Sequence, residues 1–322
     1  GKVAASGLGS SASSWRCGPV PARRSPPRIF AQVRRNGAGD GPADLWDARV
    51  DSPAPVEETA PMTLTVTQAN GIATVTLDRP SKKNAMSLEM MADLTRAGQE
   101  LATSSARVIV IEGSGDAFCA GLDLQAMQSF ATRLDAVKAE MATPIFEGAN
   151  AFQAPTRGWQ ACPQPVIAAI EGVCFGAGLQ LALAADFRIA SPEARLSIME
   201  TKWGLIPDMG ITTTLPILLR AVQAKDLMMT ARILSGSEAA ALGLVTRLAA
   251  DPKVDARAMA VDLLMRAPEA LAGCKRLVEE AGTGDLALEA TLQADIIGAP
   301  NQMRAVAAAD SGTPADYEPP KG

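Results

Sequence analysis

The stretch from residue 165 to residue 214 contains the side chains best suited to acid–base chemistry. It places Glu200 and Asp208 among apolar neighbours, and carboxylates in such surroundings are candidates for proton transfer. Upstream, Gly176 and Gly178 lead into an apolar segment typical of a helix. The first N–H groups of a helix have no partner within it, so this turn can present backbone donors to an anion.

A second glycine turn, Ala120-Gly121-Leu122, also opens a predicted helix. One such turn is a weak signal, because glycine often does no more than permit close packing. Two of them, in a chain with carboxylates but no histidine, indicate paired N–H donors around an oxyanion.

The chain of 322 residues contains no histidine. This excludes Ser-His-Asp and Cys-His catalysis, histidine-ligated zinc and histidine general bases. Its five cysteines include no Cys-x-x-Cys pair, so neither a disulfide framework nor a thiolate metal site is expected. Acid–base chemistry near neutral pH therefore falls to carboxylates, Lys, Cys or the single Tyr317, and no metal site is predicted.

Charge is distributed unevenly along the chain. Residues 1–39 hold seven Lys and Arg and no acid, whereas the whole chain holds 30 basic and 35 acidic residues. The composition of residues 1–39 suits an organelle transit peptide; a disordered tail or a mistranslated upstream stretch are alternatives. Residues 40–61 are acidic and Pro-rich, as linkers often are.

These observations lead to three expectations. Residues 1–61 are a leader and disordered linker. If the leader is a transit peptide, the protein lies in an organelle matrix, of the mitochondrion or the plastid; otherwise it is cytoplasmic. The acidic remainder is not expected to bind nucleic acid.

Strands and helices alternate after residue 62. Residues 62–67 and 72–77 alternate in polarity across an Asn70-Gly71 turn, which predicts a β-hairpin. Ser87 is a suitable N-cap for an amphipathic helix that reaches about Thr103. The pattern then predicts strands at 108–111, 165–170, 187–190 and 244–248, and helices at 179–185, 221–232, 237–241 and 252–281. Such alternation is typical of α/β proteins.

Residues 165–184 form the only stretch to consider as a membrane span. Glu171, Gln180 and three glycines interrupt it, so a buried strand followed by a helix is the preferred interpretation and no membrane span is predicted. Further helices are predicted to about Ala309, and residues 314–322 are expected to be disordered.

Four segments together resemble the enoyl-CoA hydratase/isomerase (crotonase) family in order, spacing and content. They are VTLDRPSKKNAMS, FCAGLDL, PVIAAIEGVCFGAGLQLALAADFRIAS and METKWGLIPDMGITTT. The resemblance implies an α/β fold built as a spiral of ββα units over residues 62–255. It also implies a helical C-terminal region, residues 256–322, that builds homotrimers, usually stacked as homohexamers. The implied substrate is an acyl-CoA thioester, with no cofactor beyond its CoA moiety.

Carried over by position, the resemblance assigns the thioester oxygen to the backbone N–H groups of Leu122 and Ala177. The neighbouring turn residues are then expected to contact the substrate: Ala120, Gly121, Asp123, Gly176 and Gly178.

The acid–base positions depart from those of the hydratases. Hydratases of the family place and activate water with two glutamates, which fall on Gln180 and Glu200. An amide can hold a water but does not accept a proton in this pH range. The dienoyl-CoA isomerases are similar to this chain in having an acid at the Glu200 position and an Asp in a Gly-Leu-x-x-Asp turn, here Asp208. They also carry an acid where Gln180 lies, so the match is incomplete.

We therefore predict an enoyl- or dienoyl-CoA isomerase. Glu200 is the principal acid/base, Asp208 is the second, and Gln180 orients substrate or water. One alternative is a 2-enoyl-CoA hydratase that uses Glu200 with a water held by Gln180. Another is a catalytically silent subunit for assembly or acyl-CoA binding.

Individual residues also have alternative interpretations. Glu200 could be a partnered carboxylate at a helix end, and Asp208 could cap the turn after Pro207. Four methionines either border an acyl pocket or fill the core: Met86, Met90, Met91 and Met127.

Overall fold

The computed structural model describes residues 63–280 and 284–319. The predicted leader and linker lie outside the described residues. The strands are β1 Leu64–Ala69, β2 Ile72–Leu77, β3 Val108–Gly113, β4 Val166–Ile170, β5 Val173–Phe175, β6 Phe187–Ala190, β7 Arg195–Ser197, β8 Leu234–Ser235 and β9 Arg247–Leu248.

Helices follow most of these strands, and two 3-10 helices lie at Pro80–Lys82 and Glu200–Trp203. The α-helices are α1 Leu88–Ala102, α2 Leu124–Thr132, α3 Leu134–Ala142, α4 Ala154–Ala161, α5 Ala177–Leu183, α6 Ile211–Leu218, α7 Ala221–Thr230, α8 Gly236–Leu242, α9 Pro252–Leu264, α10 Pro268–Glu279, α11 Leu286–Ile296 and α12 Pro300–Ser311. In the described residues, no helix is both long enough and apolar enough to span a membrane.

The strands form two sheets. The larger has the order β1-β2-β3-β4-β6-β9 and is parallel except for the β1–β2 hairpin. The smaller has the order β5-β7-β8. Because β4 leads directly into β5 and β6 into β7, successive strand pairs pass from one sheet to the other. The repeated strand–strand–helix units confirm the α/β fold class that the family resemblance implies.

Local signals place the first elements accurately. Asn70 and Gly71 both have positive φ, 51° and 78°, as a type I′ turn requires. Ser87 caps α1 by accepting a hydrogen bond from the Met90 N–H. The strand predicted at 244–248 is shorter, beginning at Arg247, because the Leu244 N–H donates to Ala239 O and completes the end of α8.

Both faces of the larger sheet are covered. On one face, Val108 and Val110 of β3 pack with Ala256 and Ala260 of α9. On the other, alternate residues of the same strands join the main core beneath α1. Every residue of β3 and β4 is therefore buried, as is usual for parallel strands that lie between two layers of helices. The predicted boundary at 255/256 falls inside α9, which covers the sheet.

The last described residues contact the rest of the fold. Asn301 is buried and donates to Glu318 O, and the Glu318 N–H donates to Asn301 Oδ1, at 3.1 and 2.8 Å. The Arg107 guanidinium lies 5.3 Å from the Tyr317 ring centre. The prediction of a disordered tail did not anticipate these contacts, because they join residues far apart in the sequence. The trimer-building role of the C-terminal helices stays a prediction.

Candidate active site

The two glycine turns found in the sequence are in direct contact. A Cβ atom at Gly178 would lie 2.6 Å from Cys119 Cβ, so the first turn of α5 packs onto the segment before Gly121. A Cβ at Gly121, where φ is +99°, would lie 3.0 Å from Phe175 O and 3.9 Å from the Ala177 nitrogen. The absence of side chains at these positions lets the two turns approach each other.

Around both turns, an N–H group has no backbone acceptor among the described residues. Met86 N donates to Gly121 O at 2.7 Å, and Asp123 N donates to Met86 O at 2.9 Å. Met86 and Leu122 thus form a parallel β-bridge, in which the Leu122 N–H points away from Met86. Ala177 is the first residue of α5, so its N–H has no acceptor within the helix. This geometry is compatible with the predicted pair of donors.

A cavity of about 670 Å³ opens in front of these turns. Its polar lining residues are Lys82, Asp123, Gln125, Gln180, Glu200 and Asp208. Its larger apolar lining residues are Met91, Leu122, Leu124, Met127, Phe130, Met141, Phe152, Phe175, Met199, Trp203, Leu205, Ile206 and Met209. The wall is thus mainly apolar, with a few polar groups near the turns.

Glu200 lies beside the α5 turn. Its Oε1 accepts a 2.6 Å hydrogen bond from Gln180 Nε2, and it lies 3.4 Å from the place of a Cβ at Gly176. Its Oε2 is buried and has no hydrogen-bond partner among the described residues. Burial raises the pKa of the Glu200 carboxyl above its ordinary value, and the nearby Asp208 charge raises it further. The hydrogen bond from Gln180 acts in the opposite direction and lowers this pKa.

Gln180 connects Glu200 to the following loop. Its side chain is 2 % exposed, and its Oε1 accepts a 2.8 Å hydrogen bond from the Met209 N–H. The N–H of Met209 requires the amide oxygen and the carboxylate requires the amide N–H, so these partners define the amide orientation. Gln180 therefore holds Glu200 in place, a function that its predicted role towards substrate or water did not include.

Asp208 lies on the loop that follows the Glu200–Trp203 helix. Water reaches its side chain through the open cavity, while the surrounding protein raises the pKa of its carboxyl by burial. A hydrogen bond from the backbone of Asp208 itself opposes this rise.

Asp123 stabilises the fold as well as lining the cavity. Its Oδ1 accepts from the Gln125 N–H at 2.8 Å and caps α2. Its Oδ2 lies 2.9 Å from Arg79 Nη1, in ionic contact. Its carboxylate is thus occupied by protein partners, and the predicted contact with substrate would have to involve its other atoms.

The structure brings nine of the ten predicted site residues to one cavity. They are Ala120, Gly121, Leu122, Asp123, Gly176, Ala177, Gln180, Glu200 and Asp208. The tenth, Gly178, lies behind the wall against Cys119. Of the four methionines, Met91 and Met127 line the cavity, whereas Met86 and Met90 are fully buried in the core.

Known proteins are similar to this chain over most of its length. The family model described as enoyl-CoA hydratase/isomerase matches residues 67–306. The chain belongs to the enoyl-CoA hydratase/isomerase family.

Relatives within this family are named for different activities. A probable enoyl-CoA hydratase of Rhodobacter capsulatus is 36% identical over 237 residues, 71% of this chain and 87% of that protein. The peroxisomal Delta(3,5)-Delta(2,4)-dienoyl-CoA isomerase of Arabidopsis thaliana is 34% identical over 175 residues, 53% of this chain and 63% of that protein. The crystal structure of an enoyl-CoA hydratase from Polaromonas sp. JS666 superimposes with a TM-score of 0.72 at 29% identity, covering 79% of this chain and 99% of that one.

Sequence reasoning missed two features of this family member's structure. Phe130 of α2 and Phe152 line the cavity, but no sequence motif marks either residue. Asn84 is fully buried and joins two loops. Its Oδ1 accepts from the Arg79 N–H at 2.9 Å, and its Nδ2 donates to Ser114 O and Ala117 O at 2.8 Å each. Its position at the end of the DRPSKKN loop was the available signal.

Replacing Asn84 by Ala should lower the free energy of unfolding by about 2–3 kcal/mol, because buried backbone groups lose their partners. Lys83→Ala is a matched control: both residues have a left-handed backbone, with φ of 54° and 51°, but Lys83 is exposed and pairs only with Asp116. Urea unfolding of both variants measures the difference. Equal losses would show that backbone conformation, rather than the buried amide, determines the effect.

Proposed function

We propose that this family member shifts a double bond in an enoyl- or dienoyl-CoA thioester by carboxylate proton transfer. The observation that carries the proposal is the pairing of Glu200 with the neutral amide of Gln180. One carboxylate oxygen is held by the amide, and the other is buried without a partner among the described residues. Such a carboxylate, with a raised pKa, can both take and return a proton.

In the proposed reaction, Glu200 removes a proton from C2 of a 3-enoyl-CoA. The electron pair of that C–H bond moves toward the thioester oxygen and forms an enolate. The N–H groups of Leu122 and Ala177 stabilise this oxyanion; loss of one such donor typically costs roughly 10²–10³ in rate. Return of the proton to C4 restores the thioester carbonyl and leaves the double bond between C2 and C3.

For a 3,5-dienoyl-CoA, the same enolate would take its new proton at C6. Asp208 is suited to supply it, because burial raises the pKa of its carboxyl and favours the protonated form. After the reaction Glu200 holds one proton more than before and Asp208 holds one fewer. Solvent at the open side of the cavity then takes the proton from Glu200 and returns one to Asp208. No electrons are gained or lost, so the reaction needs no cofactor beyond the CoA of its substrate.

Hydration of a 2-enoyl-CoA is the second candidate. The Gln180 amide lines the cavity and retains one N–H and one lone pair that could hold a water. The name of the Rhodobacter capsulatus relative also favours this activity. Glu200 would then activate that water.

The deciding experiment is an assay of the purified full chain with 3-enoyl-CoA, 3,5-dienoyl-CoA and 2-enoyl-CoA side by side. Double-bond migration without hydration supports the proposal. Fast hydration of 2-enoyl-CoA would replace it with the second candidate. Binding of acyl-CoA without turnover of any of the three would indicate a catalytically silent subunit.

Replacing Gln180 by Glu should raise the hydration rate of 2-enoyl-CoA by about 10²-fold, because a second positioned carboxyl can activate water. Two carboxyls at the Gln180–Glu200 distance cannot both ionise easily, so the acid limb of the pH–rate profile should move to higher pH. Gln125→Glu is the matched control, since Gln125 lines the cavity on α2. Unchanged hydration in a folded Q180E variant would contradict this role for position 180.

We also propose that the protein assembles as a homotrimer or homohexamer through its C-terminal helices. Several apolar side chains of this region are more than half exposed in the single chain: Val278, Leu286, Ile297, Met303 and Val306. Exposed apolar residues in such number are typical of a surface that another protein covers.

The proposed location is an organelle matrix. It rests on the basic, acid-free composition of residues 1–39, which is typical of transit peptides.

A further inference from the structure

A second cavity of about 300 Å³ lies next to the cavity that contains Glu200. We call them the side cavity and the main cavity. Met91 and Phe152 line both, and each side chain is only 5 % exposed. These two residues therefore form the wall between the cavities.

The wall combines a fixed and an adaptable side chain. The Phe152 ring packs edge-on against Phe130, with 5.7 Å between ring centres. The Phe152 N–H donates to Asn150 Oδ1 at 2.9 Å, which fixes the backbone at this point. Met91 lies on the buried face of α1, and its unbranched side chain fills irregular space.

Space beyond the wall can take an apolar chain. Leu88 and Ala92 of α1 line the side cavity, together with Ile145. Its charged residues are Arg96, which pairs with Asp93, and Arg133 and Glu140, which pair with each other at 2.8 Å. An apolar tail entering there would therefore not leave any of these charges without its partner.

We propose that Met91 and Phe152 set the maximum acyl-chain length of the substrate by closing the main cavity against the side cavity. This inference rests on the proposed acyl-CoA substrate. With the thioester oxygen at Leu122 and Ala177, the acyl tail extends into the apolar part of the main cavity and ends at the wall. The substrate class is then a straight-chain acyl-CoA of limited length.

The test measures binding of saturated acyl-CoA thioesters, from four to sixteen carbons, to the full chain by calorimetry. Saturated chains cannot isomerise or add water, so the result does not depend on the reaction type. In the wild-type protein, affinity should rise roughly fourfold for each buried methylene and then stop rising at one chain length. In Phe152→Ala and Met91→Ala, the rise should continue for about two further methylenes, a gain of roughly fifteenfold.

Met127→Ala is the control for Met91→Ala. It removes the same side chain from the main cavity, but Met127 does not line the side cavity. The chain length at which affinity stops rising should therefore shift less in Met127→Ala than in Met91→Ala. If both wall variants still bind short acyl-CoA and their affinity stops rising at the wild-type chain length, the inference is overturned. If Phe152→Ala fails to fold, the result for Met91→Ala alone decides. If the wild-type protein binds no acyl-CoA of any length, the proposed function fails first and this inference fails with it.

Discussion

Replacing Glu200 by Gln should lower kcat for double-bond migration by about 10²–10⁴-fold, the usual contribution of a positioned acid/base group. Binding of acyl-CoA should survive, because Gln keeps the size of the side chain and can still bond to the Gln180 amide. Steady-state kinetics, together with calorimetric binding of a saturated acyl-CoA, measures both quantities. Loss of kcat with retained binding would also exclude a catalytically silent subunit.

Glu193→Gln is the matched control, since Glu193 is an exposed acid on the loop between β6 and β7. It should leave kcat unchanged. A folded Glu200→Gln variant with wild-type kcat would show that another group moves the proton, and Asp208→Asn would be the next variant to assay.

The raised pKa of Glu200 also predicts how pH affects activity and stability. As a base, Glu200 must be ionised, so the rate should fall as pH decreases through a value above that of an ordinary glutamate. In the same window the native state binds more protons than the unfolded state, so the free energy of unfolding decreases as pH rises through it. Glu200→Gln cannot ionise and should therefore have a higher Tm than wild type at neutral pH. Below the ordinary pKa of a glutamate, the difference should disappear.

Replacing Gly178 by Ala should lower both stability and activity. The added Cβ would lie 2.6 Å from Cys119 Cβ and 2.7 Å from Cys119 O, so α5 or the Cys119 segment must move. Overpacking of this kind typically costs 1–3 kcal/mol. The movement would separate the N–H groups of Leu122 and Ala177, and we expect kcat to fall by roughly 10²–10³.

Gly158→Ala provides the comparison for this variant. Gly158 also lies in a helix, but its Cβ would meet the Gly98 Cα at 3.7 Å, an ordinary contact. Thermal unfolding and kcat should both stay near wild type in that variant. If Gly178→Ala kept the wild-type Tm and kcat, close approach of the two turns would not be what positions the oxyanion donors.

Short-range signals in the sequence determined much of the scaffold. Asn70-Gly71 predicted the hairpin because few residue pairs accept two positive φ angles. Ser87 predicted the start of α1, since a side chain that caps a helix acts within three residues. The strand at Phe187–Ala190 was predicted at its observed bounds. The resemblance of four segments to the enoyl-CoA hydratase/isomerase family also assigned Glu200 and the two glycine turns to one candidate site.

Only the tertiary structure decided how these parts work together. Gln180 and Glu200 are 20 positions apart, and their hydrogen bond depends on where β6 and β7 carry the chain between them. Met91 and Phe152 are 61 positions apart, and neither reveals from its neighbours that it bounds two cavities. Cap and turn preferences act within a few residues, whereas burial, pKa and cavity shape depend on every segment that packs nearby. The sequence therefore determined the local elements and the residue types of the site, and packing decided their contacts and their electrostatics.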